Sequence, residues 1–186
     1  MKTISEEYIW QLSRMHEEKK TFGDAKGLKS AEKYIKKYNP KSVIDYGCGK
    51  GGVTLALQEA YSDMRVQGYD PGNPTYEARP EGTFDMLLST DVLEHIEPVF
   101  LENVLRHMDG LFTKVAFFII ATSPAKKFLP DGRNAHLIVE NPGWWKPLLE
   151  KYIGGKIVHH EFSEKTRTDK MGVVHPNNKY IVVIEK

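Results

Sequence analysis

The chain has 186 residues, 40% of them apolar, which is enough to bury one substantial core. Its 26 basic and 25 acidic residues leave a formal charge of +1, which implies no broad basic face and makes nucleic acid an unexpected default partner. A single cysteine, Cys48, excludes an internal disulfide and suits a reducing, cytoplasmic compartment.

Met1 to Lys20 is charged and amphipathic, without the apolar core of a leader peptide. From Ser5 onward Tyr8, Ile9, Leu12 and Met15 recur at helical intervals, predicting a helix that covers a sheet or closes as a lid over a substrate. Thr21-Phe22-Gly23-Asp24 breaks it. Leu28 to Tyr38 predicts a second helix, ended by Asn39-Pro40 because the residue before a proline avoids helical backbone angles. Lys33, Lys36, Lys37 and Lys41 read as a solvated face.

Val43-Ile44-Asp45-Tyr46 reads as a buried strand, followed by the glycines at 47, 49, 51 and 52 and a helix beginning near Val53. Such a strand, turn and helix bring bare backbone N–H groups and a positive helix start up to a ligand. Neither a dinucleotide turn nor a P-loop fits, since Lys50 is followed by glycine and Asp45 would repel a phosphate. The turn suits a cationic ligand.

Val66 to Asp70 predicts the next strand, and the short, proline-punctuated segment Pro71 to Thr83 separates it from another at Phe84 to Leu88. A helix at Val99 to Met108 and a buried strand at Val115 to Ala121 follow; that strand is too short to span a bilayer, and no membrane association is expected. The long segment Thr122 to Pro142 contains Leu129-Pro130-Asp131-Gly132-Arg133-Asn134-Ala135-His136, and long polar loops are usually functional. Trp144 to Tyr152 predicts a helix, and Lys156 to Phe162 and Tyr180 to Glu185 predict two strands joined by the polar stretch Ser163 to Lys179. The expected organisation is one domain over residues 1–186, with 1–40 as a helical cover and 41–186 as an α/β core. The core is expected to be doubly wound around a mostly parallel sheet.

Val43, Ile44, Asp45, Gly47, Gly49 and Gly51 match the first motif of the class I S-adenosylmethionine (SAM) dependent methyltransferases position by position, and the chain resembles that family. Val66 to Asp70 resembles its acid-ended second strand, and Phe84 to His95 its fourth strand and following loop. The resemblance implies SAM as cofactor. It places Asp45, Gly47, Cys48, Gly49 and Gly51 around the methionine end, Asp70 and Pro71 at the ribose, and Asp91 and Val92 along the adenine or methionine side. It also implies a C-terminal antiparallel strand closing the sheet. The segment after Asp70 is too short for the family's next helix and third strand, so the helix is expected to be lost and the strand rudimentary or missing.

Asp91-x-x-Glu94-His95 with a later His136 is similar to the metal-binding motif of methyltransferases acting on small-RNA 3′ ends, and its first part to that of O-methyltransferases of ubiquinone biosynthesis. That resemblance implies a divalent cation on Asp91, Glu94, His95 and His136. Such an ion lowers the pKa of a substrate hydroxyl, and mixed carboxylate and imidazole ligands favour Mn²⁺, Fe²⁺ or Zn²⁺. The alternatives are a Glu94 that caps or pairs, a His95 that packs, and catalysis by histidine alone, His136 acting as general base with His95 beside it. Arg133 reads as a substrate contact or as a partner of Asp131, and one of Trp144 and Trp145 as core. No Asn/Asp-Pro-Pro-aromatic or Pro-Cys motif follows the strand before Asp91, which disfavours methylation of DNA bases. The expected acceptor is a small hydroxylated molecule. RNA ribose 2′-O-methylation comes second and would be favoured by a clustered set from Lys114, Lys126, Lys127, Arg133, Lys165 and Arg167 near the site. A catalytically inactive SAM-binding module is third.

Overall fold

The computed structural model describes residues 1–18 and 26–186; the expected break at Thr21 to Asp24 lies outside them. In chain order the elements are α1 (Glu6–Glu18), α2 (Lys26–Tyr38), β1 (Ser42–Tyr46), α3 (Gly52–Ala60), β2 (Arg65–Tyr69), β3 (Phe84–Thr90), α4 (Leu101–Asp109) and β4 (Phe112–Ala121). They continue with α5 (Pro142–Tyr152), β5 (Lys156–Ser163), β6 (Thr166–Thr168), β7 (Val174–Pro176) and β8 (Lys179–Glu185). Two single 3₁₀ turns, Leu93–His95 and Pro98–Phe100, lie between β3 and α4.

Six strands form one sheet in the order β2-β1-β3-β4-β8-β5. β1 runs parallel to both β2 and β3, and β3 to β4, while β8 is antiparallel to β4 and to β5. The mostly parallel, doubly wound α/β architecture and its antiparallel C-terminal strand are as expected. No strand or helix occupies the segment between β2 and β3, so the expected loss of both elements holds; three prolines there remove backbone donors and fix φ. Strand order reverses between β1 and β3, and in such sheets ligands bind beyond the carboxyl ends of the strands at that reversal.

The central strand explains the two layers. β4 is buried from Val115 to Ala121, the continuous apolar run that a parallel strand covered on both faces requires. Successive side chains alternate faces. Phe118 and Ile120 join Leu105 and Met108 of α4 and Trp145 and Leu149 of α5, whereas Phe117 and Ile119 join Ala31 and Ile35 of α2 and Val53 and Leu57 of α3. In α4, Leu101, Val104, Leu105 and Met108 make one apolar stripe. α5 begins where Asn141 accepts a hydrogen bond from the Trp144 backbone N–H and Pro142 takes a position that needs no donor. α1 packs apart from the sheet, with Tyr8 and Met15 against Leu129 and Ala135 of the loop after β4. Among the described residues no helix is long and apolar enough to cross a membrane.

The wholly buried Leu105 tests this arrangement. Leu105→Ala should cost about 2–5 kcal/mol in urea unfolding followed by circular dichroism, whereas Leu55→Ala, 56% exposed on α3, should cost less than about 1 kcal/mol. Equal costs would contradict the assignment of core and surface.

Candidate functional site

The turn after β1 is set by left-handed backbone at Gly47, Gly49 and Gly51. The Gly47 and Cys48 N–H groups both donate to the Tyr69 carbonyl, at 2.7 and 3.1 Å, and so tie the turn to the end of β2. A Cβ on Gly47 would collide with Val92, and one on Gly51 with the Tyr76 hydroxyl. Only glycine admits both the φ and the approach. Cys48 is buried within this turn, where burial pushes its thiol pKa up and keeps it inert.

Two carboxylates flank the turn. Asp45 is buried and accepts from the Thr54 hydroxyl at 2.8 Å; desolvation pushes its pKa up to about 6. Asp70 accepts from Gly49 N–H and Gly72 N–H, both at 2.8 Å, and so bridges the glycine turn to the next loop. A cavity of about 530 Å³ opens over this end of the sheet. All the residues expected at the cofactor line it except Gly51, which instead starts α3 and packs on Tyr76. α1 forms a further wall through Ile4, Tyr8 and Leu12. It is held there by Ser5 donating to Glu97, by the Tyr8 hydroxyl donating to the His95 carbonyl at 2.7 Å, and by Gln11 donating to Asp131. That placement suits the lid as well as the cover.

Beyond the turn, one ligand atom each from Glu94, His95 and His136 lies within 4.8 Å of the others. His95 Nδ1–H donates to the Ala135 carbonyl at 2.7 Å, and His136 Nδ1–H to the Ser123 carbonyl at 2.6 Å. Each imidazole therefore keeps its Nε2 lone pair. Burial favours the neutral ring in both, taking the His95 pKa down to about 4. Glu94 is wholly buried; its Oε1 accepts from Ala121 N–H at 3.0 Å while Oε2 has no partner, and desolvation raises its pKa. Three acceptors thus converge, two of them with a backbone carbonyl holding the other ring nitrogen, the outer contact typical of metal-ligating histidines. A buried carboxylate oxygen without a donor fits a cation.

Asp91 does not join them. The resemblance implied it as a cation ligand with them, but its φ is 56° and the 3₁₀ turn that carries Glu94 and His95 begins only at Leu93. Its carboxylate instead takes the Lys179 ammonium at 2.8 and 2.9 Å. A residue 88 positions away leaves no signal in local sequence. Of the basic residues considered for RNA, Lys114 pairs with Asp85 and Arg133 with Asp131, whereas Lys165 lines the cavity. Lys127 is near enough to His95, and Arg167 to His136, to disfavour their protonation. Trp145 is core and Trp144 is 38% exposed.

The family model described as Methyltransferase domain matches residues 19–164. A search of curated proteins finds no match. Among solved structures, Burkholderia thailandensis 1,6-didemethyltoxoflavin-N1-methyltransferase, with bound 1,6-didemethyltoxoflavin and S-adenosylhomocysteine (SAH), is similar at a TM-score of 0.62 and 16% identity, over 97% of this chain and 89% of that one. TehB from Haemophilus influenzae is similar at 0.61 and 15%, over 85% of this chain and 62% of that one, so the chain spans less than two thirds of TehB. Magnesium protoporphyrin IX methyltransferase from Synechocystis PCC 6803, with bound SAH, follows at 0.58 and 17%, over 86% and 81%. At these identities the likeness is one of fold.

The raised pKa of Asp45 has a measurable sign. The folded state holds this proton more firmly than the unfolded state, so the stability it gives is complete below pH 3.8 and is lost as pH rises through about 6. Unfolding free energy should fall across that window by up to about 1.4 kcal/mol per pH unit relative to Asp45→Asn. Parallel urea-stability profiles for the two proteins would contradict the burial of an ionisable Asp45.

Proposed function

Because the chain belongs to the Methyltransferase domain family, as a class I SAM-dependent enzyme, we propose that it methylates an oxygen of a small hydroxylated acceptor. A divalent cation on Glu94, His95 and His136 assists. The observation that carries this reading is the convergence of three ligand atoms, one of them a buried carboxyl oxygen that no protein group pairs with. Lone pairs brought together in a buried site repel unless a proton or a cation lies among them. Three protein ligands leave positions open for substrate oxygens, and a nitrogen-rich set favours Mn²⁺, Fe²⁺ or Zn²⁺ over Mg²⁺. Such an ion supplies Lewis acidity that lowers the pKa of a hydroxyl bound to it.

The cofactor residues divide the remaining work. Asp45 and Asp70 give the glycine end of the cavity its negative charge, which suits a cationic ligand, and Gly47 and Gly49 let that ligand approach the backbone. Asp70 keeps lone pairs for ribose hydroxyls beside the two N–H groups that it already accepts. Cys48 and Pro71 line the cavity, as do Asp91, Val92 and His95. SAM supplies a methyl group on a positively charged sulfur. The protein's part in the transfer is largely alignment of the acceptor oxygen with that methyl, and α1 helps to exclude water. RNA ribose 2′-O-methylation is a second reading, favoured by Lys127 and Arg167, whose positive charge reaches the histidines.

SAH formation across a panel of hydroxylated small molecules and a short RNA tests the proposal. Activity should vanish on chelation and return with Mn²⁺, and His136→Ala should lower Mn²⁺ affinity by about 100-fold or more while SAH still binds. Activity indifferent to chelation but lost in His136→Ala would make the histidine a general base and remove the cation.

A further inference from the structure

The cavity is bipolar. Its glycine end is lined by Asp45 and Asp70, and its far end by Ser163, Lys165, Asn177 and Lys179, the residues that flank the small β6-β7 hairpin. Lys165 directly precedes β6, where its carbonyl accepts from Asn177 N–H, and Arg167 lies on β6 opposite His175. Lys165 lines the cavity, the charge of Arg167 reaches His136 and disfavours its protonation, and neither has an ion-pair partner among the described residues. Nearby carboxylates do not cancel them: Asp91 is committed to Lys179, Asp169 pairs with His175 at 2.8 Å, and Glu164 is exposed in the link between β5 and β6.

A cationic cofactor satisfies the acidic end but leaves the basic end without a counter-charge. We infer that the far end binds a phosphate group on the acceptor, so that the substrate is a phosphorylated hydroxy compound held by Lys165 and Arg167 with its reacting hydroxyl toward His95. Phosphate suits this end better than carboxylate, because the donors on offer are ammonium, guanidinium, the Ser163 hydroxyl and the Asn177 amide, and a tetrahedral dianion has more acceptor oxygens for them than a carboxylate. The inference rests on the proposed methyl transfer for its orientation, but the anion site stands on its own residues.

The test titrates metal-stripped, SAH-saturated protein with inorganic phosphate, so that no metal can ligate the anion. Saturable binding is expected, weakened at least tenfold in the double variant Lys165→Gln/Arg167→Gln, with SAH affinity unchanged. No saturable binding, or equal binding to the double variant, would overturn the inference. Ribose 5-phosphate and a hexaribonucleotide then distinguish the source: tighter binding of the first indicates a small phosphorylated acceptor, and tighter binding of the second a phosphodiester at an RNA end. SAH affinity is read on the same samples, so a failed cofactor assignment would be seen separately from a failed phosphate site.

Discussion

The contact on which the site depends is Val92 lying where a side chain at position 47 would be. It lets the turn after β1 and the loop after β3 nest together at the reversal of strand order. The glycine turn alone would be a cofactor cradle, and the loop alone a short 3₁₀ turn. Pressed together, they bring Asp45, Asp70 and His95 to the lining of one cavity. Any larger residue at 47 would push the loop away and separate the two halves of the chemistry.

The Glu94, His95 and His136 cluster is held by backbone rather than by other side chains. Glu94 accepts from Ala121 N–H through its carboxylate and from Ile138 N–H through its carbonyl; His95 leans on the Ala135 carbonyl and His136 on that of Ser123. These bonds stitch the loop after β3 to the long loop after β4, satisfying groups that would otherwise be buried without partners. They also spend one nitrogen of each imidazole on structure, leaving the other for chemistry. α1 then grips the same assembly from outside, since Tyr8 donates to the carbonyl of His95.

Features with a local physical signature were legible in the sequence. The strand, glycine turn and helix around Asp45, the apolar run of β4, the Pro142 start of α5 and the missing elements after Asp70 each follow from short-range patterns. Asp91 was misplaced because a left-handed aspartate and an ion pair to Lys179 depend on tertiary packing. Gly51 was assigned to the ligand by its motif position, whereas its space is taken by Tyr76. The β6-β7 hairpin was read only as a polar connection: strands of three residues are too short to show alternation, and their basic side chains acquire meaning only where the fold sets them beside the cavity.

Anomalous diffraction from crystals grown with Mn²⁺ and SAH tests the cation site most directly. A cation held by the cluster should give an anomalous peak about 2.0–2.3 Å from Glu94 Oε2 and from the Nε2 atoms of His95 and His136, with Asp91 still paired to Lys179 and SAH over the glycine turn. Crystals with SAH in place, no peak, and a hydrogen bond joining Glu94 to one of the histidines would contradict it, because the three acceptors would then be reconciled by a proton and not by a metal.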